Sequence, residues 1–88
     1  MEKASELLKA IAHPIRLRII SLIGEKKCMS VTEIFTELNI EQAIASHHLA
    51  ILKSKGILRS DRNGKNCNYS LTNSCFIEIM KCIDQINN

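Results

Sequence analysis

The chain has 88 residues, of which 45% are hydrophobic and 24% charged, with a formal net charge of +3. This length suits a single small domain over 1–88 and excludes a two-domain enzyme, while the near-average composition favours a folded chain. A domain so short buries a modest share of its surface, so we expect a second subunit to cover its remaining aliphatic residues.

Hydrophobic spacing predicts five helices and one hairpin. The first helix covers 3–12 and ends at His13-Pro14, because proline disfavours a helical conformation in the residue before it. The second helix begins at Pro14 and stops at Gly24. Within it, Arg16 falls near the edge of the apolar face, where we expect an internal ion pair.

The segment Ser30-Val31-Thr32-Glu33 has the form of a capping box and predicts the start of a third helix, over about 31–38. A tight turn at Leu38-Asn39-Ile40 follows. The fourth helix runs from about Glu41 to Lys55 and is closed by Gly56.

Two alternating runs, 57–61 and 66–71, flank the sequence Arg62-Asn63-Gly64-Lys65. An Asn-Gly pair between such runs predicts a two-stranded β-hairpin. Thr72-Asn73 can then cap a last helix that reaches the C-terminus. The fold class is therefore mainly α with a small β-hairpin, and the order of elements is that of a winged helix-turn-helix.

Stepping about 100° per residue along the fourth helix separates its side chains into two faces. One face is expected to pack on the core and contains Ile44, Ala45, His48, Leu49, Ile51 and Leu52. The other holds small or hydrogen-bonding groups and hardly any acid: Gln42, Ala43, Ser46, His47, Ala50 and Lys53. Such a face fits the major groove of DNA, although an ordinary solvated helix face shows the same pattern.

The predicted hairpin tip concentrates Arg62 and Lys65, and the chain leading to it carries further cations at Lys53, Lys55 and Arg59. Cations on a protruding turn match a phosphate or minor-groove contact. Polar hairpin tips are also common in proteins that bind no nucleic acid, and a neighbouring aspartate weakens the local field.

The whole chain resembles the ArsR/SmtB family of bacterial winged-helix repressors. The resemblance covers about three quarters of the chain in the family's order and is carried by LKAIAHPIRLRII (8–20), SVTEI (30–34), QAIASHHLAILK (42–53), GIL (56–58) and NGKNCNYSL (63–71). It implies a homodimer that binds an imperfect inverted repeat in double-stranded promoter DNA and represses transcription until an inducer weakens binding.

By position, the resemblance also implies roles for individual residues. Those matching the family's DNA contacts are Gln42, Ala43, Ser46 and His47 on the recognition helix, Thr32 at a phosphate, and Arg62 and Lys65 in the wing. The family usually has a small hydroxyl residue where this chain has Glu41, so the phosphate contact at that position is not expected here.

The first and last helices are expected to form the dimer interface, as in the family. Apolar residues of the last helix spread over roughly 220° of its circumference, more than one core-facing stripe needs. The interface residues we expect are Leu7, Leu8, Ile79, Ile83 and Ile86.

No metal site and no cofactor are expected. Metal-responsive relatives carry cysteines near the third helix or histidines on the last, whereas here 30–34 lacks sulfur and 73–88 lacks histidine. His47 and His48 are adjacent and point about 100° apart, so they cannot chelate one ion from a regular helix. We expect His48 to be a hydrogen-bonded core histidine and His13 to cap or pack.

The chain contains four cysteines without a Cys-x-x-Cys pair, and we expect reduced thiols. Cys67 is expected to be a buried strand residue. Cys75 and Cys82 lie about 10 Å apart along one helical stripe, too far for a mutual disulfide. Across a dimer axis each could meet its own copy, which leaves a thiol-responsive repressor as an alternative.

No apolar run reaches the roughly 18 residues of a membrane helix, and Met1–Glu6 lacks the form of a signal peptide, so we expect a cytoplasmic protein with no membrane partner. We expect no enzyme, because no histidine, carboxylate and nucleophile can be assembled into a site. A winged-helix module that binds another protein without reading DNA is the competing interpretation. Neither the operator nor the inducer can be read from the residues.

Overall fold

The computed structural model describes residues 2–63 and 66–87, without the side chains at 63, 66, 67 and 87. Within that part of the chain, five helices surround a small antiparallel sheet. Their bounds are α1 Glu2–Ile11, α2 Pro14–Lys26, β1 Met29–Ser30, α3 Val31–Leu38, α4 Gln42–Ser54, β2 Leu58–Asn63, β3 Asn66–Leu71 and α5 Cys75–Asn87. The predicted mainly helical winged architecture is confirmed.

The sheet contains one strand more than the sequence predicts. Its order is β1-β3-β2, and β1 pairs with β3 through Met29 and Tyr69. A strand of two residues is too short to show alternation, so periodicity could not reveal it. β2 continues to Asn63, two residues beyond the predicted end at Asp61. Gly64, of the predicted turn, lies outside the described residues.

The starts of α2 and α3 are fixed by side-chain caps, as predicted. His13 Nδ1 accepts a hydrogen bond from the Ile15 backbone N–H at 3.1 Å. At α3, the Ser30 hydroxyl accepts from the Glu33 N–H at 3.2 Å, while a Glu33 carboxylate oxygen accepts from the Ser30 N–H at 3.0 Å. These bonds satisfy amide groups that a helix start leaves without partners.

The predicted stop of α2 at Gly24 is wrong. The helix continues to Lys26 and is capped by Lys27, whose φ is 77°. Gly24 is buried inside the helix, and a Cβ added there would lie 3.1 Å from Ile77 Cγ1 of α5. The absence of a side chain at Gly24 therefore allows α2 and α5 to pack closely. The sequence alone does not distinguish such a glycine from one that ends a helix.

The core lies around α2, which packs against each of the other four helices and against β3. The largest fully buried side chains are aliphatic: Ile19, Ile20, Ile23, Ile34, Leu49, Leu52, Ile57 and Leu58. No helix in the described part of the chain is long and apolar enough to cross a membrane.

Candidate nucleic-acid interface

A tight turn sets α4 against α3. Asn39 ends α3 in the left-handed conformation with φ of 54°, which asparagine adopts more readily than most residues. The Ile40 N–H then returns to the Phe35 carbonyl at 3.1 Å, and α4 begins at Gln42. The predicted helix-turn-helix is thus confirmed, with its second helix placed on the protein surface.

The outer face of α4 consists of the six residues predicted for it. All six are exposed: Gln42, Ala43, Ser46, His47, Ala50 and Lys53. The opposite side is buried through Ala45, His48, Leu49 and Leu52. We use "reading face" for Gln42, Ala43, Ser46 and His47, which lie on the first two turns of the helix.

The prediction that Ile44 packs on the core is wrong. Its residue surface is 39% exposed, whereas Ala45 beside it is fully buried. Helical geometry puts Ile44 about 90° from the centre of the buried side, so it lies at the edge rather than within the core. An aliphatic side chain consequently borders the reading face.

The N-terminus of α4 lacks a side-chain cap. Glu41 occupies the N-cap position in an extended conformation, and its side chain makes no capping hydrogen bond. The first helical bond comes from the Ala45 N–H to the Glu41 carbonyl at 3.1 Å. The departure from the family's hydroxyl residue therefore leaves the amides of this helix start without that partner.

Thr32 is exposed in the first turn of α3, next to the carboxylate of the capping box. Hydrogen bonds from the Ser30 backbone N–H and then from its hydroxyl hold the pKa of Glu33 below its ordinary value. Glu33 is accordingly charged at neutral pH, although the capping box engages its carboxylate.

The predicted group of cations near the wing divides into two kinds. Lys55 Nζ lies 3.0 Å from a carboxylate oxygen of Glu6 in α1. Arg59 donates to the Ser70 hydroxyl at 3.2 Å and has an aspartate partner at 4.0 Å. Lys53 and Arg62 are exposed and form no ion pair with another described residue. Lys65 lies outside the described residues.

Two arginines of α2 donate hydrogen bonds to the two helices of the helix-turn-helix. Arg18 Nη2 donates to the Leu38 carbonyl at the end of α3, at 3.3 Å. Arg16 Nε donates to His48 Nδ1 of α4 at 3.1 Å, and Arg16 Nη1 donates to the Ala10 carbonyl at 3.1 Å.

The Arg16 contact corrects one prediction and confirms another. The expected internal ion pair of Arg16 is wrong, because its partners in the described chain are an imidazole and a carbonyl. His48 is the predicted hydrogen-bonded core histidine, with 6% of its surface exposed. The two residues are 32 positions apart, a separation at which sequence spacing gives no signal.

The surfaces of α1 and α5 retain apolar side chains that this chain does not cover. Leu8 is 61% exposed and Ile86 83% exposed, while Leu7, Ile79 and Ile83 are half-buried. A shallow depression of about 490 Å³ surrounds Leu8, and its lining consists of Ala4, Ser5, Leu8, Lys9 and Ala12.

The described cysteine side chains are free thiols. Cys75 and Cys82 are both exposed on α5, and Cys28 is exposed in the loop before β1. The side chain of Cys67 lies outside the described part. Among the side chains that the structure describes, no group of three or more His, Cys, Asp or Glu is arranged to hold a metal ion.

The sequence is similar to known regulators. Residues 13–60 match the model of a family described as bacterial regulatory protein, arsR family. An uncharacterized HTH-type transcriptional regulator of Methanocaldococcus jannaschii is 39% identical over 85 residues, covering 97% of this chain and 96% of that protein. The transcriptional repressor PagR of Bacillus anthracis is 35% identical over 86 residues, covering 98% of this chain and 86% of PagR.

Solved structures share the same architecture. The crystal structure of PagR matches this chain with a TM-score of 0.85 over 93% of each chain. The homodimeric winged helix-turn-helix DNA-binding domain of a possible ArsR-family regulator from Mycobacterium bovis gives a TM-score of 0.86, covering 98% of this chain and 79% of that one. At 23% identity, the second likeness shows the fold alone.

Proposed function

This chain belongs to the ArsR family of bacterial regulatory proteins, and we propose that it acts as a homodimeric repressor bound to an inverted-repeat operator in double-stranded DNA. The observation that carries the proposal is the reading face: small and polar side chains are exposed on a helix whose opposite side is buried. A helix with this surface can approach base edges closely.

Each residue of the reading face has a specific chemical role in the proposal. Gln42 can pair with adenine N6 and N7, and His47 can donate to guanine N7 or to a phosphate. Ser46 can hydrogen-bond with several bases, and Ala43 leaves room for the groove wall. These contacts would distinguish one base sequence from another.

A second set of residues is proposed to contact the backbone of DNA without reading its sequence. Thr32 offers a hydroxyl at the start of α3, and Lys53 offers a free ammonium at the end of α4. Arg62 and Lys65 extend the set into the wing. Two of the three cations, Lys53 and Arg62, have no ion-pair partner among the described residues, which supports this role.

The homodimer is proposed to form through α1 and α5, with Leu7, Leu8, Ile79, Ile83 and Ile86 in the interface. The high exposure of Leu8 and Ile86 supports this arrangement, because apolar side chains on opposite ends of the chain gain burial in a second copy. We also propose that 1–88 forms one domain, acts in the cytoplasm without enzymatic activity, and responds to no metal.

A salt titration of DNA binding tests the proposal. We expect affinity for a duplex selected from random sequence to fall steeply with salt, since cations displace counterions from phosphates. Arg62→Gln should weaken binding to every duplex and reduce the salt slope by about one. Gln42→Ala should instead cost about 1–3 kcal/mol at particular base pairs and leave the salt slope unchanged.

Negligible binding to any duplex at low salt would contradict the proposal and favour a module that binds another protein through the same face. Equal behaviour of the two variants would contradict the division between reading and backbone contacts.

A thiol response is a second candidate, supported by the exposure of Cys75 and Cys82 on the proposed dimer helix. An oxidant that forms disulfides would then link two copies through one of these positions. Loss of DNA binding after disulfide oxidation, restored by a reductant and absent in a Cys75→Ser/Cys82→Ser variant, is the expected result. Unchanged binding after oxidation would exclude this mechanism.

A further inference from the structure

One guanidinium group links three helices behind the reading face. Arg16 of α2 donates to the Ala10 carbonyl in the last turn of α1 and to His48 Nδ1 of α4. Ala10 is 3% exposed and His48 6% exposed, while Arg16 is half-buried, so both hydrogen bonds are partly shielded from water. His48 is adjacent in sequence to His47, which belongs to the reading face. This one side chain therefore adds a polar link between α4 and both α1 and α2 to the packing that already joins these helices.

The contact requires one protonation state of His48. An arginine side chain has only donors and stays charged at every physiological pH, so Nδ1 can accept from it only while unprotonated. A proton on Nδ1 would place two donors and two positive charges about 3 Å apart, which is repulsive. The hydrogen bond between Arg16 and His48 cannot exist in that state.

The surroundings of His48 favour the accepting state at neutral pH. Burial has the largest effect and lowers the pKa of His48, and the neighbouring His13, Arg16 and His47 lower that pKa further. The His13 ring lies 4.5 Å from the His48 ring, and the His47 ring lies 5.1 Å from it. In the described chain, these groups come from the α1–α2 junction, from α2 and from α4 itself.

We propose that Arg16 is a positioning residue for DNA binding, which holds α4 in its binding orientation through His48 Nδ1, and that protonation of His48 releases this hold. The inference rests on the proposed function, because its effect is read as DNA affinity. Small displacements of a recognition element reduce binding strongly, since its contacts depend on precise placement.

The chain contains three histidines, and two of them must be removed from the pH profile. Protonation of His47 would add a charge near phosphate, and protonation of His13 Nδ1 would break the cap of α2. A His13→Asn/His47→Gln variant serves as the reference, because asparagine caps helices through its oxygen and glutamine retains a hydrogen-bonding side chain. His48 is then the only histidine left to titrate.

Two substitutions at one position separate the hydrogen bond from mere packing. In His48→Asn the amide oxygen takes approximately the place of Nδ1 and accepts from Arg16 without titrating. In His48→Gln the amide lies one carbon farther out, so the acceptor no longer coincides with Nδ1. Both are introduced into the reference variant, and Arg16→Lys is added as a third change that removes the Nε donor.

Because His47 belongs to the reading face, binding is measured with a duplex that the reference variant itself selects from random sequence at about pH 7.5. Between about pH 7.5 and 5.0, the reference should lose at least about threefold in affinity, and the fall should begin below the ordinary histidine pKa of 6.5 because the surroundings of His48 lower that pKa. His48→Asn should stay within about twofold over this range. His48→Gln and Arg16→Lys should bind at least about tenfold more weakly at pH 7.5.

A flat profile of the reference, or a His48→Asn profile that falls like the reference, overturns the inference and leaves the proposed function intact. Failure of the wild type to bind any duplex overturns both. Because variants can lose stability, wild-type protein without DNA provides a second measurement. Nitrogen NMR should report an unprotonated Nδ1 on His48 at pH 7.5, coupled to the Arg16 Nε–H, and loss of that coupling on acidification; a protonated Nδ1 at pH 7.5 also overturns the inference.

Discussion

The two sides of α4 differ in whether their side chains are buried within the chain. The inner side is complete within one chain: Leu49 and Leu52 are fully buried, and His48 has its hydrogen bond from Arg16. The outer side, with Gln42 and Ser46, is exposed. The inner side therefore determines where the helix lies. Packing does not constrain the residues of the outer side, so they can be suited to a binding partner.

The α1 and α5 surfaces resemble the outer side of α4 in exposure but differ from it in chemistry. Leu8 and Ile86 are aliphatic and can stabilise a complex only by leaving water, whereas the residues of the reading face can stabilise one by hydrogen bonding. The two kinds of open surface thus fit the two partners proposed above, a second copy of the chain and DNA. Substitutions on each surface can test this distinction.

The largest effect on stability is expected at the inner side. Leu49→Ala removes a fully buried side chain and should lower the free energy of unfolding by about 2–5 kcal/mol, through lost burial and a residual cavity. Ser46→Ala, one turn away on the outer side, should change it by less than about 0.5 kcal/mol. Urea unfolding at one fixed protein concentration measures both. Equal losses would contradict the division of the helix into two sides.

A smaller effect on folding but a clear effect on assembly is expected at Leu8. Leu8→Ala should weaken the proposed dimer by about 1.5–3 kcal/mol for each subunit whose leucine leaves the interface. Sedimentation equilibrium across a range of concentrations measures the dimer constant. Leu8→Met conserves volume and is the matched control, expected to retain the dimer. A dimer constant unaffected by Leu8→Ala would place the interface elsewhere.

These surfaces also show how far the sequence alone could lead. Helical spacing identified every residue of the reading face, because exposure there follows from local geometry within one helix. It misplaced Ile44, since a residue at the edge of a face is assigned by its neighbours in other elements. The same reasoning explains Gly24, whose partner Ile77 belongs to a helix that sequence spacing cannot position.

The contacts between distant residues were beyond the sequence. Arg16 and His48 are each recognisable as polar groups near apolar faces, but nothing local pairs residues 32 positions apart. β1 escaped for a different reason, because its two residues gain their strand conformation from pairing with β3. Capping, by contrast, is local, and the predicted box at Ser30 was confirmed by both of its hydrogen bonds.

Glu33 of the capping box differs from both kinds of open surface, because it is exposed and yet has partners within its own chain. Its pKa is lower in the folded protein than its ordinary value of 4.5, owing to the Ser30 hydrogen bonds. The resulting stabilisation is fully present above pH 4.5 and is lost as pH falls through the folded pKa. Acid therefore weakens this cap only below pH 4.5. The lowered pKa of His48 acts at higher pH, because the unfolded chain begins to bind a proton there near the ordinary pKa of 6.5 and the folded protein loses stability from that point downward.

The smallest expected effects concern this cap. Ser30→Ala should lower the free energy of unfolding by about 1 kcal/mol at neutral pH, the usual cost of a lost N-cap. Glu33→Gln retains an acceptor for the Ser30 N–H but cannot titrate, so its difference from wild type isolates the carboxylate, and the His48 contribution cancels. We expect wild type to lose stability relative to Glu33→Gln as pH falls below 4.5, followed by urea unfolding at each pH. A constant difference across that range would contradict this prediction. It would mean that folding does not lower the pKa of Glu33 and that this exposed carboxylate has no effective partner within the chain.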